Sequence, residues 1–315
     1  MKRFIAALVL TLLACAPPAR TETRGLKKWG YLLHTSNPGQ AYLERVLNTY
    51  DIIAVTGFKL DSEGRIRSMS TPLFQQAREL CARGDFELCP LISFASVNAG
   101  KKILSSRALR ERAALEVRRL VRFYGFRHIH LDFEYLPPSY APGLVEFLKG
   151  LRKRTRVEHI SMAVFPRVDF PLQWAGFHNL EFLEPCLDEI VVMCYDYHRP
   201  DTGPGPVTDI KWAEKNIQAA LMHFPAHRVW LGIPAYGYRW PDKGRASAVS
   251  SRSGTRLAKK HGGIRDRSGT VFFTYNIQGR PVCVYFADKK TREMLGELAR
   301  QYKLAGTATW RRGLE

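Results

Sequence analysis

Arg127-His128-Ile129-His130-Leu131-Asp132-Phe133-Glu134 alternates between two kinds of side chain. Ile129, Leu131 and Phe133 fall on one side, and His128, His130, Asp132 and Glu134 on the other, because successive side chains of a β-strand point to opposite faces. Asp132 and Glu134 then share a face, roughly 7 Å apart. Taken alone, such a run describes an antiparallel strand with one dry face and one wet face. The flanking segments decide between that reading and a strand covered on both sides.

Immediately upstream, Leu109, Ala113, Val117, Leu120, Val121 and Tyr124 recur at helical spacing from Ser106 onward, with arginines opposite them, and Gly125 ends the helix. Further back, strands are predicted over Lys28–Leu33, Asp51–Phe58 and Leu88–Phe94, with helices over Tyr42–Leu47 and Pro72–Arg83 and a turn at Asp61–Gly64. Downstream, helices over Ala141–Arg154, Leu180–Leu187 and Asp209–Met222 alternate with strands over His159–Phe165, Glu189–Asp196 and Arg228–Tyr236. Residues 239–286 break the rhythm with a polar Ser/Gly/Arg stretch and then a hairpin, Val271–Tyr275 with Val282–Phe286, which reads as an insertion on a rim. A helix over Thr291–Tyr302 leads to a last strand, Gly306–Trp310. Eight strands separated mostly by helices predict a (β/α)₈ (TIM) barrel over residues 25–315 rather than an open sheet. In a barrel the polar file from His128 to Glu134 points into the interior. Buried charge of that kind is costly unless hydrogen-bonded, and points to a functional role.

The chain has 315 residues, 45% of them apolar, which supplies ample core and excludes a disordered protein. Met1-Lys2-Arg3 followed by the apolar run Phe4–Ala14 reads as a secretion signal, too short to span comfortably as a permanent helix. Leu12-Leu13-Ala14-Cys15 resembles a bacterial lipobox, which makes residues 1–14 a signal peptide of lipoprotein type, Cys15 the lipidated first mature residue and membrane anchor, and residues 15–24 a linker. Without Lys2 and Arg3, 46 basic residues face 29 acidic ones, a formal charge of +17. Outside the cytoplasm that field favours cell-wall polymers or anionic lipid, not nucleic acid. The five cysteines after Cys15, an odd number widely spread, do not read as a disulfide framework; at most a pair such as Cys81 and Cys89 closes. Neither CxxC nor HExxH occurs, so no metal or cofactor is expected.

Polar and aromatic residues gather at the predicted C-terminal ends of the strands: Glu134, Tyr195 and Asp196, Tyr236, and Trp310. Barrel active sites are built at that rim. Carboxylates beside aromatic rings suit carbohydrate, whose apolar faces stack on rings while hydroxyls take hydrogen bonds. The segment from Tyr124-Gly125-Phe126 to Leu131-Asp132-Phe133-Glu134-Tyr135-Leu136-Pro137-Pro138 resembles the strand-four signature of glycoside hydrolase family 18, the chitinase-like barrels, in their bacterial cell-wall and spore-cortex branch. Met193-Cys194-Tyr195-Asp196-Tyr197-His198 resembles the family's M-x-Y-D motif of strand six. Leu231–Tyr238 and Gly306–Trp310 resemble its strands seven and eight, and the rim segment sits where the family often carries a small α+β insertion.

The resemblance implies a retaining, substrate-assisted cleavage of β-1,4 bonds after N-acetylglucosamine, in peptidoglycan first and chitin-like oligomers second. Glu134 is then the acid on the leaving oxygen, and Asp132 orients the substrate's acetamido group, whose oxygen attacks the anomeric carbon. Tyr195 hydrogen-bonds that oxygen, Asp196 contacts the sugar and Trp310 floors the subsite. His130, Met193, Tyr236 and Tyr31 complete the expected substrate contacts, in a protein acting as a monomer. Two departures stand out: Arg127-His128 and His130 occupy positions where the family usually has Asp-Gly and then Asp or Asn. His130 can replace that Asp or Asn as a donor to Asp132, and if charged would hold Asp132 ionised and make activity pH-sensitive. The alternative is an envelope lipoprotein that binds glycan without cleaving it.

Overall fold

The computed structural model describes residues 25–34, 43–44, 47–68, 72–84 and 86–311. The expected signal peptide, Cys15, the linker and part of the predicted helix Tyr42–Leu47 lie outside the described residues. Eight parallel strands, β1 (Lys27–Leu32), β2 (Ile52–Leu60), β3 (Glu87–Phe94), β4 (His128–Asp132), β5 (His159–Val164), β6 (Glu189–Met193), β7 (Val229–Pro234) and β8 (Gly306–Trp310), pair in sequence order. Closure is direct: Trp29 to Leu32 pair with Ile52 to Val55 on one side of β1, and Lys27 to Gly30 pair with Gly306 to Thr309 on the other. The fold is a (β/α)₈ barrel.

The alternation in the opening stretch sorts its side chains between two cores. Ile129, Leu131 and Phe133 face outward into the layer between strands and helices, where Phe133 stacks on Phe94 at 3.9 Å. The inner faces of the strands supply Trp29, Tyr31, Ile52, Ala54, Cys89, Leu91, Val191, Trp230 and Ala308 to a separate interior cluster. His128 and His130 fill the remaining interior positions, 1% and 0% exposed, with the Trp29 indole against both imidazoles. Barrel interiors are usually closed by branched aliphatic side chains. Here indoles and imidazoles take that space, so the lumen carries polar nitrogen atoms that need partners.

The helix that delivers the chain to β4, Arg107–Tyr124, is bounded as its sequence dictates. The Ser106 hydroxyl accepts from the Leu109 N–H, and Gly125 at φ 73° supplies the left-handed residue that ends the helix. Ser106 also ends a preceding helix, Val97–Ser105, that the sequence reading did not anticipate. Strands β4 and β6 are shorter than expected, stopping at Asp132 and Met193, so Glu134, Tyr195 and Asp196 sit on the loops beyond them. The segment between β7 and β8 begins earlier than expected, at Tyr236. It folds as a five-stranded antiparallel sheet carrying a helix, Ser251–His261, that was read only as polar chain. All five described cysteines are free: Cys89 lies in the lumen and Cys81 turns to the Phe86 carbonyl, so the pair does not close.

Candidate active site

A cavity of about 200 Å³ opens at the C-terminal end of the barrel, lined by residues from most of its strands. Tyr31, Asp132, Glu134, Met193, Tyr195, Asp196 and Trp310 all border it. Backbone conformation helps to bring them there. Tyr135 and Asp196, one residue past Glu134 and Tyr195, adopt φ values of 60° and 58°. That left-handed region costs a side-chain-bearing residue about 1 kcal/mol, a cost tolerated where surrounding structure holds the turn.

Asp132 and Glu134 are hydrogen-bonded to one another. Burial pushes both carboxyls above the usual range, Glu134 furthest, because Asp132 and then Asp196 add negative charge beside it. The proton of the pair therefore rests on Glu134, which donates to Asp132, while the Tyr135 side chain bonds Glu134 as well. Asp196 is held differently. Burial raises it, and the hydroxyls of Tyr236 at 2.5 Å and Tyr238 at 2.8 Å both donate to its Oδ1 and ease that rise. Tyr195 is buried close to all three carboxyls, and burial and then the neighbouring charge keep its phenol firmly protonated and able to donate. A protonated carboxyl, a partner carboxylate and a phenolic donor thus converge on one small cleft: an acid with a basic helper, suited to breaking a bond to an oxygen leaving group.

The model of glycosyl hydrolases family 18 matches residues 31–315. The chain belongs to that family. Among its relatives, the cortical fragment-lytic enzyme of Bacillus subtilis is 28% identical over 228 residues, covering 68% of this chain and 53% of the relative. A glycosylase of the same organism, YvbX, is 25% identical over 224 residues, covering 68% and 65%. The chain thus spans between about half and two thirds of the length of these relatives. The spore cortex-lytic enzyme SleL of Bacillus megaterium superposes with a TM-score of 0.82 at 21% identity, over 93% of this chain and 72% of that one. A chitinase from Chromobacterium violaceum gives 0.84 at 20%, over 92% and 95%. At such identities these structures establish the shared fold.

Within this family 18 barrel, two of the sequence-derived site residues sit apart from the cleft. Tyr236 is buried behind Asp196 as its hydrogen-bond donor and does not line the cavity. His130 lies beneath the cleft, its Nε2 3.0 Å from the Tyr31 hydroxyl and its Nδ1 2.8 Å from Ser161 Oγ. Burial, and then the charge of His128, hold His130 well below its ordinary pKa. Held neutral, it does not act on Asp132 as a charged imidazole would, and its two ring nitrogens go to Tyr31 and Ser161 rather than donating to Asp132. The sequence reading also missed an aromatic wall, Phe165, Phe170 and Trp174 with Tyr135 against it, capped by the Arg199 guanidinium 4.7 Å from the Trp174 ring. Its signal was the aromatic density just past β5, where Phe165, Phe170, Trp174 and Phe177 fall within one short stretch. A second missed residue is His178, whose two ring nitrogens bind the Phe133 carbonyl at 2.9 Å and the Phe165 N–H at 3.0 Å. Among the described residues, no cluster of three His, Cys, Asp or Glu side chains is placed to hold a metal ion.

Proposed function

We propose that this chain is a retaining, substrate-assisted glycoside hydrolase that cleaves β-1,4 bonds after N-acetylglucosamine, with peptidoglycan as its first substrate and chitin-like oligomers as its second. The observation that carries the reading is the half-buried Asp132–Glu134 pair, hydrogen-bonded at the mouth of the barrel with Glu134 raised furthest. Both carboxyls rise from one strand end, so they stand on the same side of a bound glycan rather than facing each other across it. Glu134 then protonates the leaving oxygen while Asp132, released from the Glu134 hydrogen bond, receives the acetamido N–H and turns the acetamido oxygen toward the anomeric carbon. Tyr195 donates to that oxygen, Asp196 takes a sugar hydroxyl, and Trp310 and Met193 form the floor. Peptidoglycan is favoured because relatives carry the name cortical fragment-lytic enzyme. Glu134→Gln keeps the side chain's shape and removes its acid. Turnover of N-acetylglucosamine oligomers and of peptidoglycan should fall by about 10²–10⁴-fold with oligomer binding retained. Equal turnover in the variant refutes the assigned acid, and wild-type protein that binds oligomers yet releases no reducing ends at any pH establishes the glycan-binding alternative.

The same reading places the protein outside the cytoplasmic membrane, as a monomer anchored through lipid on Cys15. It is supported by the charged start, the short apolar run and the lipobox-like Leu12–Cys15. Metabolic labelling with a radioactive fatty acid in a bacterial host should mark the wild-type chain and not Cys15→Ser. Equal labelling of both removes the anchor.

A further inference from the structure

One group of polar side chains is not used by the chemistry above: a file that runs from the half-exposed Glu87 through the buried barrel interior below the cleft. Glu87 Oε1, at the N-terminal end of β3, lies 3.7 Å from His128 Nδ1. His128 Nε2 is 2.7 Å from Ser161 Oγ, and the same oxygen is 2.8 Å from His130 Nδ1 and 3.3 Å from the Ile129 carbonyl. His130 Nε2 then meets the Tyr31 hydroxyl at 3.0 Å, and Tyr31 borders the cleft. Counting hydrogens fixes the direction of this chain. Ser161 has one hydrogen for three neighbours, so at least one histidine nitrogen must donate to it. Among the described residues the Tyr31 hydroxyl has His130 as its hydrogen-bond partner, and a buried phenol is satisfied by donating. Nε2 of His130 is then the acceptor, and a neutral imidazole carries its hydrogen on the other nitrogen, Nδ1, which donates to Ser161. Ser161 passes its own hydrogen to the Ile129 carbonyl or to His128.

We propose that His130 and Ser161 are positioning residues that draw the Tyr31 hydroxyl hydrogen down into the barrel, so that no donor beneath Asp132 competes with Glu134 for its carboxylate. Asp132 is thereby committed upward to Glu134 before substrate arrives. The imidazole does what a carboxylate at position 130, an acceptor only, cannot do: it offers an acceptor to Tyr31 and a donor to Ser161 from one rigid ring. The inference rests on the hydrolase reading for its consequence but not for its geometry, and the test separates the two.

Nitrogen NMR of the full chain with ¹⁵N-labelled histidine reports each ring tautomer without any turnover. In wild type at neutral pH, His130 should carry hydrogen on Nδ1 and none on Nε2; hydrogen on Nε2 overturns the proposal outright. Ser161→Ala removes the acceptor, so His130 should switch to the Nε2–H form, Tyr31 should turn its hydrogen toward Asp132, and kcat on N-acetylglucosamine oligomers should fall about tenfold with KM little changed. Ser161→Thr, which keeps the hydroxyl, should restore both the tautomer and most of the kcat, and shows that the alanine effect is not a loss of folding. A switched tautomer with unchanged kcat overturns the positioning role. The Nδ1–H tautomer in a wild-type chain that cleaves nothing leaves the hydrogen-bonded file intact and sinks the hydrolase reading instead.

Discussion

The Phe133 carbonyl lies in the backbone between the two site carboxyls, and His178 is what holds it. One imidazole nitrogen donates to that carbonyl and the other accepts the Phe165 N–H, so His178 ties the end of β4 to the end of β5 where Glu134 and the aromatic wall meet. This demands a neutral ring, and burial lowers its pKa to about 4. A histidine at about 4 in the fold and about 6.5 in the unfolded chain contributes stability that is whole above pH 6.5 and is lost as pH falls toward 4. The difference corresponds to about 3 kcal/mol. Glu134 and Asp132, raised by the same burial, act in the opposite sense, binding protons more tightly in the fold and gaining stability as pH falls. They are common to a comparison of wild type with His178→Gln, whose amide donates to one carbonyl and accepts one N–H without titrating. Urea midpoints between pH 7 and 4 should therefore decline more steeply for wild type than for the variant. Parallel curves would show that His178 does not titrate in this range.

At the scale of elements, β-strand alternation and helical spacing were legible, because eight strands covered on both faces leave their period in the sequence. That is why the inward placement of His128, His130 and Asp132 followed once the eight-strand count was added to the alternation. Where strands end was not legible: β4 and β6 stop short of Glu134 and Tyr195, and the left-handed turns that follow, at Tyr135 and Asp196, fall on residue types that do not announce them as glycine does. The helix Ser251–His261 was hidden by its composition, with serines, glycine and basic residues and only two residues buried. Nor does spacing show that Tyr236 bonds Asp196, since that contact depends on how the insertion sheet leaves the barrel. Gly237 permits the departure. It sits between the two tyrosines that hold Asp196, and a Cβ there would come within 2.0 Å of the Tyr285 carbonyl oxygen and 2.3 Å of Phe286 Cα. Gly237→Ala must push the strand Tyr236–Pro241 away from its neighbour Arg280–Phe286, at a cost of about 1–3 kcal/mol. Thermal unfolding should show that loss. Oligomer affinity should weaken with it, because Tyr236 and Tyr238 can no longer both reach Asp196; unchanged affinity would show that Asp196 needs neither.

Over the whole molecule, charge is distributed unevenly. The helix Arg107–Tyr124 carries six arginines against Glu111 and Glu116, and its neighbour Ala141–Thr155 carries Lys149, Arg152, Lys153 and Arg154 against Glu146. A groove between them is lined by Arg107, Arg110, Lys149, Lys153 and Arg154, against Glu111 and Glu146. The cleft, by contrast, gathers Asp132, Glu134 and Asp196, with Arg199 at its edge. The proposed function thus assigns binding of an acidic wall polymer and cleavage of a neutral sugar bond to different surfaces, and salt separates them. Fields from exposed arginines reach about 10 Å at 0.1 M salt and about 3 Å at 1 M. Retention on insoluble peptidoglycan should therefore drop steeply over that range, while turnover of neutral N-acetylglucosamine oligomers changes little. Reversing three exposed charges, in Arg112→Glu/Arg118→Glu/Lys153→Glu, should weaken retention at low salt by about fivefold, since each exposed charge contributes a few tenths of a kcal/mol. The same triple variant should hydrolyse short neutral oligomers at the wild-type rate. Retention that is as strong as in wild type at low salt would move the polymer contact away from these two helices, and a parallel loss of oligomer turnover would mean that the basic side and the cleft are not separable surfaces.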